Sequence, residues 1–164
     1  MADKAIKACQ QIYGAEYPQT LNGMSSLATI LYNLGRLQEA EAPKVQVLGT
    51  GKRVLGVEHP DTLISMDILS STFRHLGQLK DAEELGLQAL ESRRKVLGVE
   101  HSNALESMAE LALTWKSLGR HAAALNLLRD SLTKRKQLLG PHHHVVLSSS
   151  ETLLQYETEG SEEQ

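Results

Sequence analysis

The sequence predicts an all-α protein made of stacked helix pairs, with about eight helices in total. Three observations support this fold class: a 42-residue repeat, two amphipathic stretches in each repeat, and a composition poor in aromatic residues. Aromatic residues make up 4% and hydrophobic residues 41% of the 164 residues, which disfavours an all-β fold but provides enough apolar side chains for a core. The repeat carries most weight, because its matches fall at fixed offsets along the chain.

Glycine marks the repeat most clearly. Two series of glycines recur every 42 residues. The first series is Gly14, Gly56, Gly98 and Gly140, and the second is Gly35, Gly77 and Gly119. A third series with this period is Tyr17, His59, His101 and His143. The period predicts a single array over 1–157, divided into a half unit at 1–13, whole units at 14–55, 56–97 and 98–139, and a half-unit cap at 140–157. Residues 158–164 are predicted to be an acidic flexible tail. An array with half units at both ends is expected for a piece, or a descendant, of a longer one.

The first helix of each unit carries its apolar residues on one face. In the second unit these residues recur at steps of three and four: Leu63, Met66, Leu69 and Phe73. Pro60, like Pro18 one unit earlier, stands where a first helical turn tolerates proline. Gly77 supplies the left-handed backbone that often ends a helix.

The second helix of this unit is predicted from about Lys80 to Leu97. Its inward-facing residues are Ala82, Leu85, Ala89, Leu90, Val96 and Leu97. Arg93, Arg94 and Lys95 complement the negative end of the helix dipole and are expected on a solvated face. Neither helix can bury its apolar stripe alone, so neighbouring units must stack.

The stretch Gly49-Thr50-Gly51-Lys52 looks like the start of a phosphate loop but does not fit that pattern. The first glycine of the loop would fall at Gln46, and Arg53 stands where a hydroxyl is needed to hold magnesium. In the frame of the repeat the stretch is the tail of a second helix. Pro43 is expected to kink this helix or to shift its start, and each glycine weakens it by about 1 kcal/mol. We therefore predict the most distorted and mobile helix of the array here.

Other candidate sites have simpler explanations. Three adjacent histidines, His142–His144, cannot all reach one metal ion, and His143 belongs to the repeat. The recurring basic clusters could form a nucleic-acid track, but helix-end charges explain them and the net charge is −3. Trp115 and Phe73 share a frame on the apolar side of the first helix, which predicts core residues. No nucleophile stands in a recognisable catalytic motif. We expect no enzyme activity, cofactor, metal or nucleic acid.

The N-terminus lacks the apolar run of a signal peptide, and no window has the roughly 18 consecutive apolar residues of a membrane span. The single cysteine, Cys9, cannot form an internal disulfide and is expected to be a small buried side chain. These features predict a cytoplasmic protein without a membrane segment.

The repeat resembles a known family. Glycine at the turn, alanine at Ala40, Ala82 and Ala124, and the helix-turn-helix plan are similar to the tetratricopeptide repeat (TPR). The 42-residue length and the His-Pro-x-Thr-Leu connection resemble the kinesin light chain variety. The second unit looks closer still to the C-terminal arrays of fungal NACHT or NB-ARC signalling NTPases. The resemblance covers about residues 2–157 and implies a right-handed α-α superhelix whose first helices line a concave groove for peptides.

The resemblance also implies which residues line that groove. In the first unit they are Asn22, Ser25, Ser26, Thr29, Tyr32 and Asn33. In the second they are Ile64, Asp67, Ile68, Ser71, Arg74 and His75. In the third they are Glu106, Ala109, Glu110, Leu113, Lys116 and Ser117. Kinesin light chains carry an Asn-Asn pair in this groove, and the matching positions here hold Ser25-Ser26, Asp67-Ile68 and Ala109-Glu110. Cochaperone arrays instead clamp a terminal carboxylate with Lys and Asn, and the frames of that clamp hold Ser25, Thr29 and Ile68.

The predicted function is that of a protein-interaction module that binds a peptide or a partner helix in the groove. One alternative is a sensor or regulatory segment of a larger signalling NTPase, and another is a kinesin light chain-like cargo adaptor. The apolar faces of the terminal half units also offer a route to self-association.

Overall fold

The computed structural model describes Gly14 and residues 18–162. The chain divides into two compact units, Met1–Ala82 and Glu83–Gln164. The predicted half unit at 1–13, together with Tyr17, lies outside the described residues. Within them the chain forms seven helices and no strand, so the predicted all-α fold class is confirmed. The helices are α1 (Pro18–Asn33), α2 (Leu37–Val54), α3 (Pro60–His75), α4 (Leu79–Leu97), α5 (Ser102–Ser117), α6 (His121–Leu139) and α7 (His144–Glu162).

Helix ends follow the punctuation of the sequence. Helices α1 and α3 begin at Pro18 and Pro60, where the missing N–H of proline has no partner to lose. Gly77, after α3, has φ +77°, and its N–H donates to the carbonyl of Arg74 at 3.1 Å. The glycines at the same frame in the neighbouring units have almost the same φ. The tight turn inside each unit is therefore set by one glycine.

In the first compact unit, α1 packs on α2 and α2 packs on α3. The buried apolar residues of α1 and α3 are Met24, Ala28, Leu31, Leu63, Met66 and Leu69. Phe73 is half-buried. The faces predicted from three- and four-residue steps therefore form the core of this unit.

In the second compact unit, α5 packs on α6 and α6 on α7. Leu90 of α4 joins Leu105, Met108 and Leu111 of α5 in one buried cluster. Trp115 packs against this cluster, and its indole N–H donates to a Glu83 carboxylate oxygen at 2.7 Å. The prediction that Trp115 is a core residue is confirmed.

Helix α2 contains both Pro43 and the Gly-Thr-Gly-Lys stretch, and it is continuous from Leu37 to Val54. The expected shift of its start at Pro43 is wrong, because α2 begins at the same frame as α4 and α6. The proline lies seven residues into the helix, where it removes one backbone bond while the rest of the ladder continues. The interpretation of Gly49–Lys52 as a helix tail is confirmed.

Three sequence-based details need correction. Val96 and Leu97 are exposed, because the last turn of α4 leads into an exposed connection with nothing packed over it. Arg93 was expected on a solvated face but is only 4% exposed. Helix α7 continues to Glu162, so residues 158–162 are helical where a tail was predicted. Threonine, serine and glutamate at this end do not force a helix to stop, and Gly160 weakens the helix without ending it.

Candidate functional site

The predicted groove residues of the first two units lie on α1 and α3, which share one compact unit. Tyr32 of α1 reaches the last turn of α3. Its hydroxyl lies 3.2 Å from Nδ1 of His75 and 3.4 Å from Oγ of Ser71. The Tyr32 and His75 rings meet edge to face, with centroids 5.6 Å apart. The structure therefore brings three predicted site residues into direct contact.

The contacts of His75 indicate which of its two ring nitrogens carries a proton. Its Nδ1 lies 2.7 Å from the carbonyl oxygen of Ser71, which can only accept a hydrogen bond. Nδ1 therefore carries the proton and donates to this carbonyl, which leaves Nε2 as the acceptor nitrogen in the neutral ring. The tyrosine hydroxyl consequently has Ser71 Oγ as its better partner.

Lys44 of α2 is a site residue that sequence reasoning missed. Its side chain is only 6% exposed, and its Nζ donates to Oγ1 of Thr72 at 2.8 Å. The same nitrogen lies 4.3 Å from the centroid of the Tyr32 ring, within cation–π range. Burial lowers the pKa of Lys44 to about 8. A signal existed in the sequence, because the same frame holds Gly86 and Leu128 in the later units.

A cavity of about 450 Å³ lies next to these residues, between α1, α2 and α3. Four of the predicted groove residues line it: Asn22, Ser25, Ile64 and Ile68. The rest of its lining was not predicted and comes from α1 and α3 and from α2 and its C-cap: Leu21, Val47, Thr50, Gly51, Val54, Leu55, Asp61, Thr62 and Ser65. Sequence reasoning missed the part of this lining that comes from α2 and its C-cap because it assigned the groove to first helices alone.

The other predicted residues of these two units lie around the cavity without lining it. Ser26 and Asn33 are exposed on α1, and the hydroxyl of Thr29 donates to the carbonyl of Ser25 at 2.9 Å. Asp67 is half-buried on α3. Arg74 is also half-buried, and its Nη2 lies 3.5 Å from Oγ of Ser71.

The predicted residues of the third unit belong to the second compact unit. Lys116 Nζ lies 3.6 Å from the ring centroid of Tyr156 on α7. Ala109 packs against the buried cluster of Ala112, Ala124 and Leu128. The remaining residues are exposed or half-buried on α5: Glu106, Glu110, Leu113 and Ser117. Lys116 therefore has an aromatic partner in this unit, while Ala109 contributes to its core.

The recurring histidines have a structural role. Nδ1 of His59, His101 and His143 accepts the backbone N–H two residues later, at 3.2, 3.2 and 3.3 Å. Each ring therefore replaces a partner that the first turn of a helix lacks. Across residues 18–162 no group of three His, Cys, Asp or Glu side chains is arranged to hold a metal ion. Within the same range, no helix has the length and apolar character needed to cross a bilayer.

Helix pairs that repeat every 42 residues, each with a glycine at its turn, define a helical-repeat protein. Two family models described as tetratricopeptide repeat match the chain, one over residues 20–61 and the other over residues 69–137. The chain belongs to the tetratricopeptide repeat family.

Solved structures agree with this assignment. A Podosopora anserina protein of kinesin light chain type, with nearly identical TPR-like repeats, is 26% identical with a TM-score of 0.84. The match covers 98% of this chain and 76% of that one, and a single-substitution variant of the same protein gives a TM-score of 0.86. BtubC (BKLC) from P. vanneervenii shares the fold, with 16% identity, a TM-score of 0.74, and 96% and 66% of the two chains covered. No curated protein matches the chain.

The family sets the general class of function. Tetratricopeptide repeats generally mediate protein–protein interactions and are typically non-enzymatic scaffolds. The chain is therefore a repeat module of the protein-interaction class.

Proposed function

We propose that the chain binds an extended peptide or a partner helix in the groove of its first compact unit, between α1 and α3. The observation that carries the proposal is the cavity of about 450 Å³, lined by four of the residues that the family resemblance implies. Its volume is within the range of roughly 300–1,000 Å³ that is usual for ligand sites.

The cavity wall combines apolar and polar groups in a way that suits a peptide. Ile64 is 49% and Ile68 is 36% exposed, and both lie on the open face of α3. Asn22 and Ser25 of α1 face the same cavity and can bond a peptide backbone. An extended segment would place one side chain against the two isoleucines, and its amide groups would lie near α1.

The test needs a defined probe because the partner is unidentified. We would screen an array of synthetic peptides of about ten residues, guided by the length of typical bound segments, and map hits by amide shifts in ¹⁵N spectra. Shifts should concentrate at Ser25, Ile64, Ile68 and Ser71. Changing Ile64 and Ile68 to Asp should weaken binding by roughly tenfold or more, since each charge would face a buried apolar contact.

Val45 offers a matched control. Val45 is 46% exposed, which is similar to the exposure of Ile64 and Ile68. It lies on α2, however, and does not line the cavity. Val45→Asp should leave peptide affinity unchanged, and circular dichroism should show equal helicity for both variants. Equal weakening by both variants would discard this groove as the binding site.

The likeness to a kinesin light chain-type protein favours a cargo-adaptor role as a second candidate. In that role the groove would take a segment of a transported protein. A kinesin cargo peptide that shifts the amides of α1 and α3 would support it. An unchanged spectrum at saturating peptide would leave only the general binding role.

A further inference from the structure

Two arginines, 42 residues apart, join second helices to the first helices that follow them. Arg93 is 4% exposed, and its Nη1 donates to Oγ of Ser107 at 2.6 Å and to the carbonyl of Asn103 at 3.3 Å. Arg135 Nη1 donates to Oγ of Ser149 at 3.0 Å. The two serines are also 42 residues apart, so one guanidinium contact occurs twice in the array.

Where the first whole unit meets the second, the acceptors of this contact are present on α3, but the arginine is missing from α2. Gly51 stands at the frame of Arg93, and Ser65 stands at the frame of Ser107. Ser65 Oγ donates to the backbone carbonyl of Asp61 at 2.8 Å. In the same way, Ser107 Oγ donates to the backbone carbonyl of Asn103 at 3.2 Å. The local geometry that receives a guanidinium in the second compact unit is therefore present here without one.

The cavity borders the position of the missing side chain. Gly51, Thr62 and Ser65 all line it. Thr62 is fully buried, and its Oγ1 has no hydrogen-bond partner among the described residues. A buried hydroxyl without a partner is costly, and a donor group of a bound guest would relieve that cost at Thr62.

We propose that this cavity is a guanidinium receptor, which takes an arginine side chain of a bound peptide. The proposal rests on the peptide-binding function proposed above and names the chemistry of its anchor. The head group would bond Ser65 Oγ and the Asp61 carbonyl, as Arg93 bonds their counterparts. The aliphatic stem would lie against Val47, Val54 and Ile64.

Charge favours a cationic guest. Asp61 is the one charged residue among the described residues that line the cavity, and its carboxylate is 76% exposed. Lys44 lines a smaller crevice nearby, but its ammonium group is bonded to Thr72. A planar guanidinium with several donors fits two or three separate acceptors better than an ammonium does.

The probe for the test is N-propylguanidinium, which carries the head and stem of arginine. We expect saturable amide shifts at Gly51, Thr62 and Ser65, with a dissociation constant on the order of 1 mM for so small a ligand. Propanol at the same concentrations should not reproduce them. Equal shifts with propanol would show a merely apolar cavity and would overturn the proposal, as would the absence of shifts with either compound.

The chain itself supplies the matched variants. A Cβ at position 51 would lie 3.2 Å from Thr62 Oγ1, so Gly51→Arg alone is crowded. Combined with Thr62→Ala, it copies the pair that Arg93 and Ala104 form one unit later. This double variant should fill the cavity with its own arginine and stop responding to the probe, whereas Thr62→Ala alone should still bind it. A double variant that is helical by circular dichroism and still binds the probe at these amides would overturn the proposal.

Peptides separate this inference from the groove itself. Peptides that bind the groove should lose roughly tenfold or more in affinity when their arginine is replaced by citrulline, which removes the charge. If peptides keep their affinity after the change of arginine to citrulline, and also bind the double variant equally well, the groove is supported as the binding site and the arginine anchor is refuted. Probe binding without any peptide binding would discard the proposed function and leave a guanidinium site of another role.

Discussion

Lys44 predicts how the stability of the protein depends on pH. A lysine whose pKa is about 8 in the folded chain and about 10.5 in the unfolded chain binds fewer protons when the chain is folded, over the pH range between these two values. The free energy of unfolding therefore rises as pH increases through this window. Below about pH 8 the folded state carries the full cost of a buried ammonium group, and above about 10.5 that cost is gone.

The size of the effect follows from the width of the window. The difference between about 8 and 10.5, at about 1.4 kcal/mol for each pH unit, corresponds to about 3 kcal/mol. Lys44→Met keeps the length of the side chain and removes the titrating group. The difference in unfolding free energy between wild type and variant should thus change by about 3 kcal/mol, in favour of the wild type, as the pH is raised from 7 to 10.5.

Urea unfolding followed by circular dichroism at several pH values measures this difference. Lys80→Met is the control, because Lys80 is an exposed residue of α4. The pH dependence assigned to Lys44 is the part that Lys44→Met removes and Lys80→Met does not. A ¹³C titration of the Lys44 side chain gives an independent value. Titration together with the exposed lysines, or a flat difference for Lys44→Met, would refute the account of a desolvated ammonium group.

Two further predictions concern backbone and caps. Gly49→Ala should stabilise the chain by about 1 kcal/mol, because Gly49 lies within α2 and nothing lies within 4 Å of an added Cβ. Gly77→Ala should destabilise the chain by about 1 kcal/mol, because φ is +77° at this position. Urea unfolding would contradict this assignment if both substitutions changed the free energy of unfolding in the same direction. His101→Ala should cost about 1 kcal/mol by loss of the cap to Asn103, while His101→Asn should retain most of it. Equal losses in thermal unfolding would show that the ring packs there without capping.

The fold was predictable because its determinants are local and recur. Gly77 and its counterparts at Gly35 and Gly119 each set a turn without help from distant residues. Apolar residues at three- and four-residue steps define the buried face of each helix, as Met66 and Leu69 illustrate. A period of 42 residues then extends each local rule along the chain.

The details of the site depend on contacts between helices, which the sequence does not display. Arg93 reads as one more cation near a helix end, and its inward direction becomes clear only from Ser107 on the next helix. Lys44 could be buried because Tyr32 and Thr72, from two other helices, receive its ammonium group. Gly51 is harder still, because the repeat places it at the frame of Arg93, but only the packing of α2 on α3 shows that a contact is missing there.

Gly51 lies where one repeat unit packs on the next, so deletion or duplication of a whole unit changes which residues face it. Excision of one period, residues 56–97, would put Ser107 at the frame of Ser65, opposite Gly51, with Ala104, Glu106 and Glu110 in place of Thr62, Ile64 and Ile68. Excision of residues 14–55 would remove α1 and α2 and put Cys9 at the frame of Gly51. Recombination between similar units could thus transplant or erase a recognition point without disturbing the scaffold that holds it.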